Sequence, residues 1–501
     1  MHVLAQAAFD APNLDYHALA PEIVLTVALV VLLLVDLVAP DESRWTASTV
    51  GAFGLLAPLL PILTLAVDGT DRSLFGGAYV VDDFALVMKG LLLVAGYVTV
   101  LMSTNDIGEG DYAQGEYYFL LLSSVLGMVV MASSRDLVSI FVALELLSIP
   151  AYLLAGWRKR DLRGNEAGLK YYLMGVFASA IMLYGMSLVY GVSGTTVLAG
   201  IRDAVSVGDS QPVVTVGIMF VLIGFLFKVS AVPFHTWAPD TYEGAPTPIT
   251  AFLSVASKAA GFVALLQLVL VGFLGREDVY RPLFWVLCAV TMTVGNLIAL
   301  RQTNVVRLLA YSSVAQGGFI LLPFVAVQAS DAATENALTA IVTYLVIYAA
   351  MNLGAFAVVI AVARKTRSGT IASYGGLFEY APGLAVVMGV FLFSLAGIPP
   401  LGGWMAKFVV FRALLTDADG WAVALAVIAA VNSVIGLFYY ASVAREMFFR
   451  PVPDEDRTPV RVPVALAAAV ALTAAATLLF GVLPGIATRL GDLGDLVALG
   501  G

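Results

Sequence analysis

Five ionisable residues fall inside long apolar runs of this sequence: Glu145 (FVALELLSIPAYLL), Lys170 (EAGLKYYLMG), Lys228, Lys258 and Lys407. A charge at mid-bilayer depth costs about 3 kcal/mol on insertion scales, so five unpaired would cost roughly 15 kcal/mol, a whole domain's stability. They are therefore expected to face one another, or water, inside a helix bundle. Structural ion pairs and snorkelling side chains are the alternative, but four lysines cannot all pair with one acid. A lysine taken out of water gives up its proton more readily, and a carboxylate beside it makes it hold on. A buried lysine with a movable acid partner is thus a two-state proton site. Tyr171, Tyr172, Tyr344, Tyr348, Ser254, Ser257, Ser312 and Ser313 are candidates to carry or hold water between the lysines, or to act as helix–helix glue. Lys89, Arg412 and Asp36 lie near span ends, where pairing or snorkelling is expected.

The elements that must position these groups are two interrupted helices. The stretch 225–262 starts as an apolar helix, is broken at Pro233 and Pro239, and resumes after Pro246 and Pro248. Lys228 and Lys258 stand on either side of the break, and His235 within it is a candidate relay or a packing residue. Proline-broken helices beside charges are how carriers place polar groups inside a membrane. The segment Leu226 to Pro233 resembles Leu392 to Pro399, and the second copy continues through Pro400, Gly402 and Gly403 to Lys407. The two copies are five spans apart, an odd number, which predicts inverted repeats.

Composition sets the class. Hydrophobic residues make up 60% and charged residues 12%, against roughly 25% charged in a soluble domain. About fourteen spans are expected, near 21–38, 47–67, 83–103, 116–133, 136–156, 166–191, 214–234, 248–272, 280–300, 304–327, 335–363, 382–413, 421–447 and 462–484. The expected fold is an all-α polytopic membrane protein forming one integral membrane domain over 1–501. It divides into N-terminal helices (1–115), a first repeat (116–272), a second repeat (280–447) and a last helix (448–501). The segment 192–212 has room for a surface helix, and no soluble domain fits. With a net charge of -9, one cysteine (Cys288) and three histidines (His2, His17, His235), nucleic-acid binding and a metal site are not expected. There is no GxxxxGKS nucleotide loop. Asp10, Asp15 and Glu22 before the first apolar run argue against a cleaved signal. Basic residues at 157–163, 364–367 and 445–461 fall in connections of one parity, which predicts those loops in the cytoplasm and both termini outside.

Three long motifs carry a family resemblance: FKVSAVPFHTWAPDTYEGAPTPITAFLSVASKAAGF (227–262), TYLVIYAAMNLGAFAVV (343–359) and LAGIPPLGGWMAKFVVF (395–411). The chain resembles the antiporter-like subunits of respiratory complex I, and among them the subunit N type of the bacterial proton-pumping NADH–quinone oxidoreductase, over about residues 20–485. The MNLGAF and IPPLGG stretches, and Lys407 where subunit M usually has Glu, favour N over M. The resemblance implies fourteen helices, with helices 4–8 and 9–13 as inverted five-helix repeats and helices 7 and 12 broken. It implies that Glu145 partners Lys228, that Lys258 is the central lysine, that Lys407 serves the distal half, and that Lys170 is a further lysine on the sixth helix. It also implies proton translocation driven by quinone reduction elsewhere in a complex. FMN, iron–sulfur clusters, NADH and quinone would then lie in other subunits, with subunits M, K and J and membrane lipid as partners in the bacterial inner membrane. The alternative is a subunit of an Mrp-type cation/proton antiporter.

Overall fold

In lipid, backbone groups must be satisfied within their own segment, so long apolar runs fold as helices. The computed structural model describes residues 14–38, 45–110, 112–205, 212–327, 331–416 and 418–492. Helices α1 (Ala20–Val38), α2 (Thr46–Leu56) and α3 (Leu59–Asp68) come first, then a two-stranded antiparallel hairpin of β1 (Arg72–Leu74) and β2 (Tyr79–Val81). The chain continues through α4 (Asp83–Gly108), α5 (Gln114–Ser133), α6 (Leu137–Ala155) and α7 (Leu162–Ser193). A short α8 (Leu198–Val205) occupies the segment expected to hold a surface helix. Next are α9 (Pro212–Lys228), α10 (Trp237–Gly244), α11 (Thr247–Phe252) and α12 (Lys258–Gln267). The remainder is α13 (Glu277–Ala299), α14 (Val305–Leu321), α15 (Asp331–Thr366), α16 (Leu377–Tyr380), α17 (Pro382–Ala396), α18 (Gly402–Leu415), α19 (Gly420–Phe449), α20 (Val464–Val482) and α21 (Pro484–Gly491).

Among the described residues, twelve helices are long and apolar enough to cross a membrane. Two shorter apolar helices, α9 and α17, end at the anticipated breaks. Burial sorts the helices into a centre and a ring. The apolar windows of 247–272 and 332–366 are wholly buried and that of 305–325 nearly so, whereas α1 and α20 are mostly exposed. The outward faces are apolar too, with Leu37, Val67 and Phe177 more than two-thirds exposed. A polytopic membrane protein needs both: lipid outside, and polar groups confined to the bundle interior.

Both breaks open with the same backbone device, a Schellman ending in which a left-handed residue satisfies the last helical carbonyls. In α9 that residue is Ser230 (φ 59°). Its N–H donates to Phe227 O (3.0 Å) and the next N–H, of Ala231, donates to Leu226 O (2.9 Å). In α17 it is Gly397 (φ 90°), with Gly397 N–H to Ser394 O (2.9 Å) and Ile398 N–H to Phe393 O (3.0 Å). Three residues beyond each left-handed position lies a proline in a cis peptide bond, Pro233 and Pro400. This register pairs Leu226 with Phe393 and Lys228 with Leu395. It corrects by one residue the alignment read from sequence, which paired Leu226 with Leu392. Apolar letters are nearly interchangeable, whereas a left-handed backbone position is not.

Immediately before Lys258, residues Leu253–Ser257 form a π-helical turn joining α11 to α12, and a second covers Leu268–Gly272. The extra residue in such a turn has no sequence signature, and the turns are often found at functional sites.

Candidate functional site

Lys228, Lys258 and Lys407 are 2%, 1% and 8% exposed, so the expectation of interior lysines holds for these three. Among the described residues, each is held by neutral oxygen atoms and has no carboxylate within ion-pair distance. Lys228 is the last residue of α9, and its Nζ donates to Ser148 Oγ on α6 (2.9 Å) and Tyr171 OH on α7 (3.0 Å). The Tyr171 ring stacks on Trp237 of α10 at 4.4 Å, and the Trp237 indole N–H donates to Phe227 O (3.1 Å), the carbonyl at the break that also accepts from Ser230 N–H. The half-helix after the break thus fixes the residue that holds the lysine before it.

Lys258 Nζ donates to both Ser313 O (2.6 Å) and Ser313 Oγ (2.7 Å) on α14, and Tyr348 OH on α15 donates to the same Oγ (3.0 Å). One turn further along both helices, Tyr344 OH donates to Gln316 Oε1. Gln316 Nε2 donates to Tyr440 OH on α19 (3.2 Å) and to Leu395 O at the end of α17 (3.0 Å). Tyr440 OH and Ser312 Oγ lie 2.5 Å apart. The adjacent carbonyl, Ala396 O, accepts from Lys407 Nζ (2.7 Å), whose stem folds back from α18 across the break. Hydroxyl, amide and ammonium groups therefore line up from Lys258 to Lys407, with a single helical step between the Ser313–Tyr348 and Gln316–Tyr344 pairs. Gly317 sits where a side chain would separate Lys258 from the first break. A methyl there would lie 3.1 Å from Val229 O and 3.7 Å from Lys258 Nζ. The hydroxyls of Ser230, Ser257 and Tyr242 are buried without a hydrogen-bond partner among the described residues. Buried polar groups normally have a partner, and these three sit beside the lysines.

Glu145 does not touch Lys228. Its Oε1 accepts from Ser179 Oγ of α7 (2.7 Å), and Ser148, one turn along α6, contacts the lysine instead. The carboxylate is partly exposed at the edge of the outward stripe Val138, Val142, Ile149 and Leu153.

Lys170 departs from the expectation of an interior residue. Its side chain is 43% exposed and pairs with Glu166 (2.7 Å) and with Asp240 of α10 (2.6 Å). Because α7 begins at Leu162, Lys170 lies only about two turns into the helix, within reach of acids at its end. Asp240 also meets Arg307 of α14 (2.9 Å), which reaches Glu243 (2.8 Å), so these charges clamp α10 to its neighbours. Tyr172, half exposed, points away from the path. His235 is partly buried in the break and its Nδ1 has no hydrogen-bond partner among the described residues. Lys89 is fully buried and ion-paired to Glu22 (2.7 Å), so pairing rather than snorkelling applies to it; Arg412 and Asp36 are exposed at helix ends. Ser148, Ser179, Gln316 and Tyr440 went unnoticed in the sequence, since a single polar letter in an apolar run does not reveal which neighbour it meets.

Residues 134–435 match the family model described as NADH:quinone oxidoreductase/Mrp antiporter, TM. NADH-quinone oxidoreductase subunit N of Trichlorobacter lovleyi is 41% identical over 476 residues, covering 94% of this chain and 95% of the relative. A chain of respiratory complex I from Thermus thermophilus with bound aureothin superposes with a TM-score of 0.77 at 33% identity, covering 95% of this chain and 100% of that one. A chain of the Mrp complex from Dietzia sp. has the same fold (TM-score 0.83, 23% identity, covering 96% and 97%). A buried row of lysines between two broken helices, in a chain this similar end to end to subunit N, places the protein in the NADH-quinone oxidoreductase subunit N family.

Proposed function

We propose that this chain is a proton-translocating subunit of the membrane arm of a bacterial NADH–quinone oxidoreductase, with Lys228, Lys258 and Lys407 as its proton-holding groups. The observation that carries this reading is the row of buried polar groups from Lys258 to Lys407: Ser313 and Tyr348 are bonded at the first lysine, Gln316 and Tyr440 lie one helical step on, and Ala396 O, next to the Leu395 O that Gln316 reaches, accepts from the second. Structural ion pairs would put a carboxylate on each lysine. Instead each ammonium rests on hydroxyls and carbonyls, which accept its hydrogen bonds without fixing its proton. Glu145 is the movable charge: rotated toward Ser148, it approaches Lys228. At an effective dielectric of 20 and 4 Å, such a pair is worth roughly 4 kcal/mol, ample to switch a buried lysine. His235 and Lys170 flank the path, the first at the break and the second at its charged rim.

Electron transfer belongs to other subunits, where FMN, iron–sulfur clusters, NADH and quinone would reside. The chain sits in the inner membrane beside subunits M, K and J, its basic loops cytoplasmic and both termini periplasmic. The region 116–272 and the region 280–447 act as inverted repeats, a reading supported by the Schellman ending that both breaks share and by the proline three residues after each. Fourteen crossings follow if α9–α10 and α17–α18 each span once. The Mrp reading is weaker because that likeness is one of fold, whereas the subunit N likeness extends to 41% identity.

Co-purification with NADH-oxidising subunits, and proton uptake per NADH oxidised in vesicles, test the reading. Lys258→Met and Lys407→Met should each cut pumping at least fivefold while leaving NADH–ferricyanide activity intact. Wild-type pumping in both variants would reduce the lysines to structural parts.

A further inference from the structure

The basic run Trp157-Arg158-Lys159-Arg160 forms the connection between α6 and α7, and the functional row leaves it unused. It borders a cavity of about 460 Å³ beside the α4–α5 connection, lined by Tyr112, Trp157, Arg158, Lys159, Arg160 and Asp161. That volume lies in the range of small-molecule sites, which run from about 300 to 1,000 Å³. Among its described lining residues, three are cations and one is an acid. Asp161 is occupied as the N-cap of α7, accepting from Arg163 N–H (3.0 Å). Arg158 has only a long contact to Asp106 (3.6 Å), and Lys159 and Arg160 enter no ion pair among the described residues. Trp157 is 7% exposed, and its buried indole N–H has no acceptor among the described residues. On either side of the loop, Leu153 and Leu162 are 56% and 84% exposed.

We propose that this cavity binds the phosphodiester headgroup of an anionic phospholipid, with Arg158, Lys159 and Arg160 on its oxygens and acyl chains over Leu153 and Leu162. Three cations and an orphan N–H donor together call for an anion rich in acceptor oxygens. The exposed leucines favour a lipid over free phosphate, and Trp and Tyr beside basic residues are the usual furniture of a membrane interface. The site is separate from the lysine row, so its occupancy is independent of whether the chain pumps.

The test is native mass spectrometry of the delipidated full-length chain in detergent, titrated with phosphatidylglycerol, phosphatidylcholine or inorganic phosphate. One phosphatidylglycerol should be retained in preference to phosphatidylcholine. A basic residue near an anionic surface contributes about fivefold. Arg158→Gln/Lys159→Gln/Arg160→Gln should therefore weaken retention on the order of 100-fold, and Trp157→Phe, which keeps every charge, by a few-fold. Equal retention of both lipids, or undiminished retention in the triple variant and in Trp157→Phe, would overturn the proposal. So would displacement of the lipid by millimolar phosphate, which would mark a free-phosphate site. In the native complex, a cross-link from Lys159 to an acidic segment of another subunit would likewise replace the lipid with a protein partner.

Discussion

At the residue scale, what distinguishes the three central lysines is the kind of oxygen they meet. Ser313 gives Lys258 two acceptors from one residue, a carbonyl and a hydroxyl, and the hydroxyl also serves Tyr348. Ser313→Ala removes the shared acceptor and strands Tyr348 OH, a cost of about 1–3 kcal/mol for a buried polar group. Proton uptake in vesicles is expected to fall several-fold in Ser313→Ala and to recover in Ser313→Thr, with NADH–ferricyanide activity unchanged in both. Glu145 offers the complementary test. Glu145→Gln keeps the bond from Ser179 but removes the charge, so coupled pumping should drop severely; Glu145→Asp, on a shorter arm, should retain part of it. Wild-type pumping in Glu145→Gln would remove the carboxylate from the mechanism.

At the element scale, the breaks are backbone structures before they are chemical ones. Gly397 occupies a left-handed position whose occupation by alanine costs about 1–2 kcal/mol, and an added methyl would press on the Lys407 stem at 2.8 Å. Gly397→Ala should therefore lower the stability of the α17–α18 segment, seen as faster hydrogen exchange there, and lower pumping without altering any charge. Gly317→Ala wedges a methyl between Val229 O and Lys258, and should reduce proton uptake while leaving exchange in α17 unaffected. Much of this was legible in the sequence. Proline and glycine clusters announced both breaks, and charges in apolar runs announced Lys228, Lys258 and Lys407. The depth of Lys170 was not, because α7 starts four residues before the expected span and brings Glu166 and Asp240 within reach. Nor was the π-helical turn before Lys258, or the meeting of Gln316 with Tyr440, which depends on how four helices pack.

At the scale of the whole molecule, an outer ring of helices shields the row, and a few surface ion pairs tie the ring's connections together. Ahead of α1, Asp15 accepts from Ala18 N–H (3.1 Å) and from Arg72 of the hairpin (2.6 Å), and both hold its carboxyl below the usual range. A carboxyl lowered on folding contributes stability that is present above its unfolded value, near 4, and lost as pH falls through the lower folded value. The start of α1 should accordingly exchange amide hydrogens faster below about pH 4. Arg72→Gln should show part of that loosening already at pH 7, and identical pH profiles in the two proteins would exclude the contact as its cause.

The one-residue register of the breaks has a consequence for direction. Superposed through Ser230 and Gly397, the two breaks share a backbone turn but not an inventory: Lys228 falls opposite Leu395, and the group that reaches back onto the first break is the neutral Trp237 indole N–H on Phe227 O, where the second has the Lys407 ammonium on Ala396 O. In the first half the ammonium sits upstream of the gap; in the second it arrives from downstream. A scaffold with matching ends and unmatched occupants has no mirror through its centre. A charge entering from one side therefore meets a different sequence of wells from one entering the other way, and that inequality is the raw material of a one-way conductor.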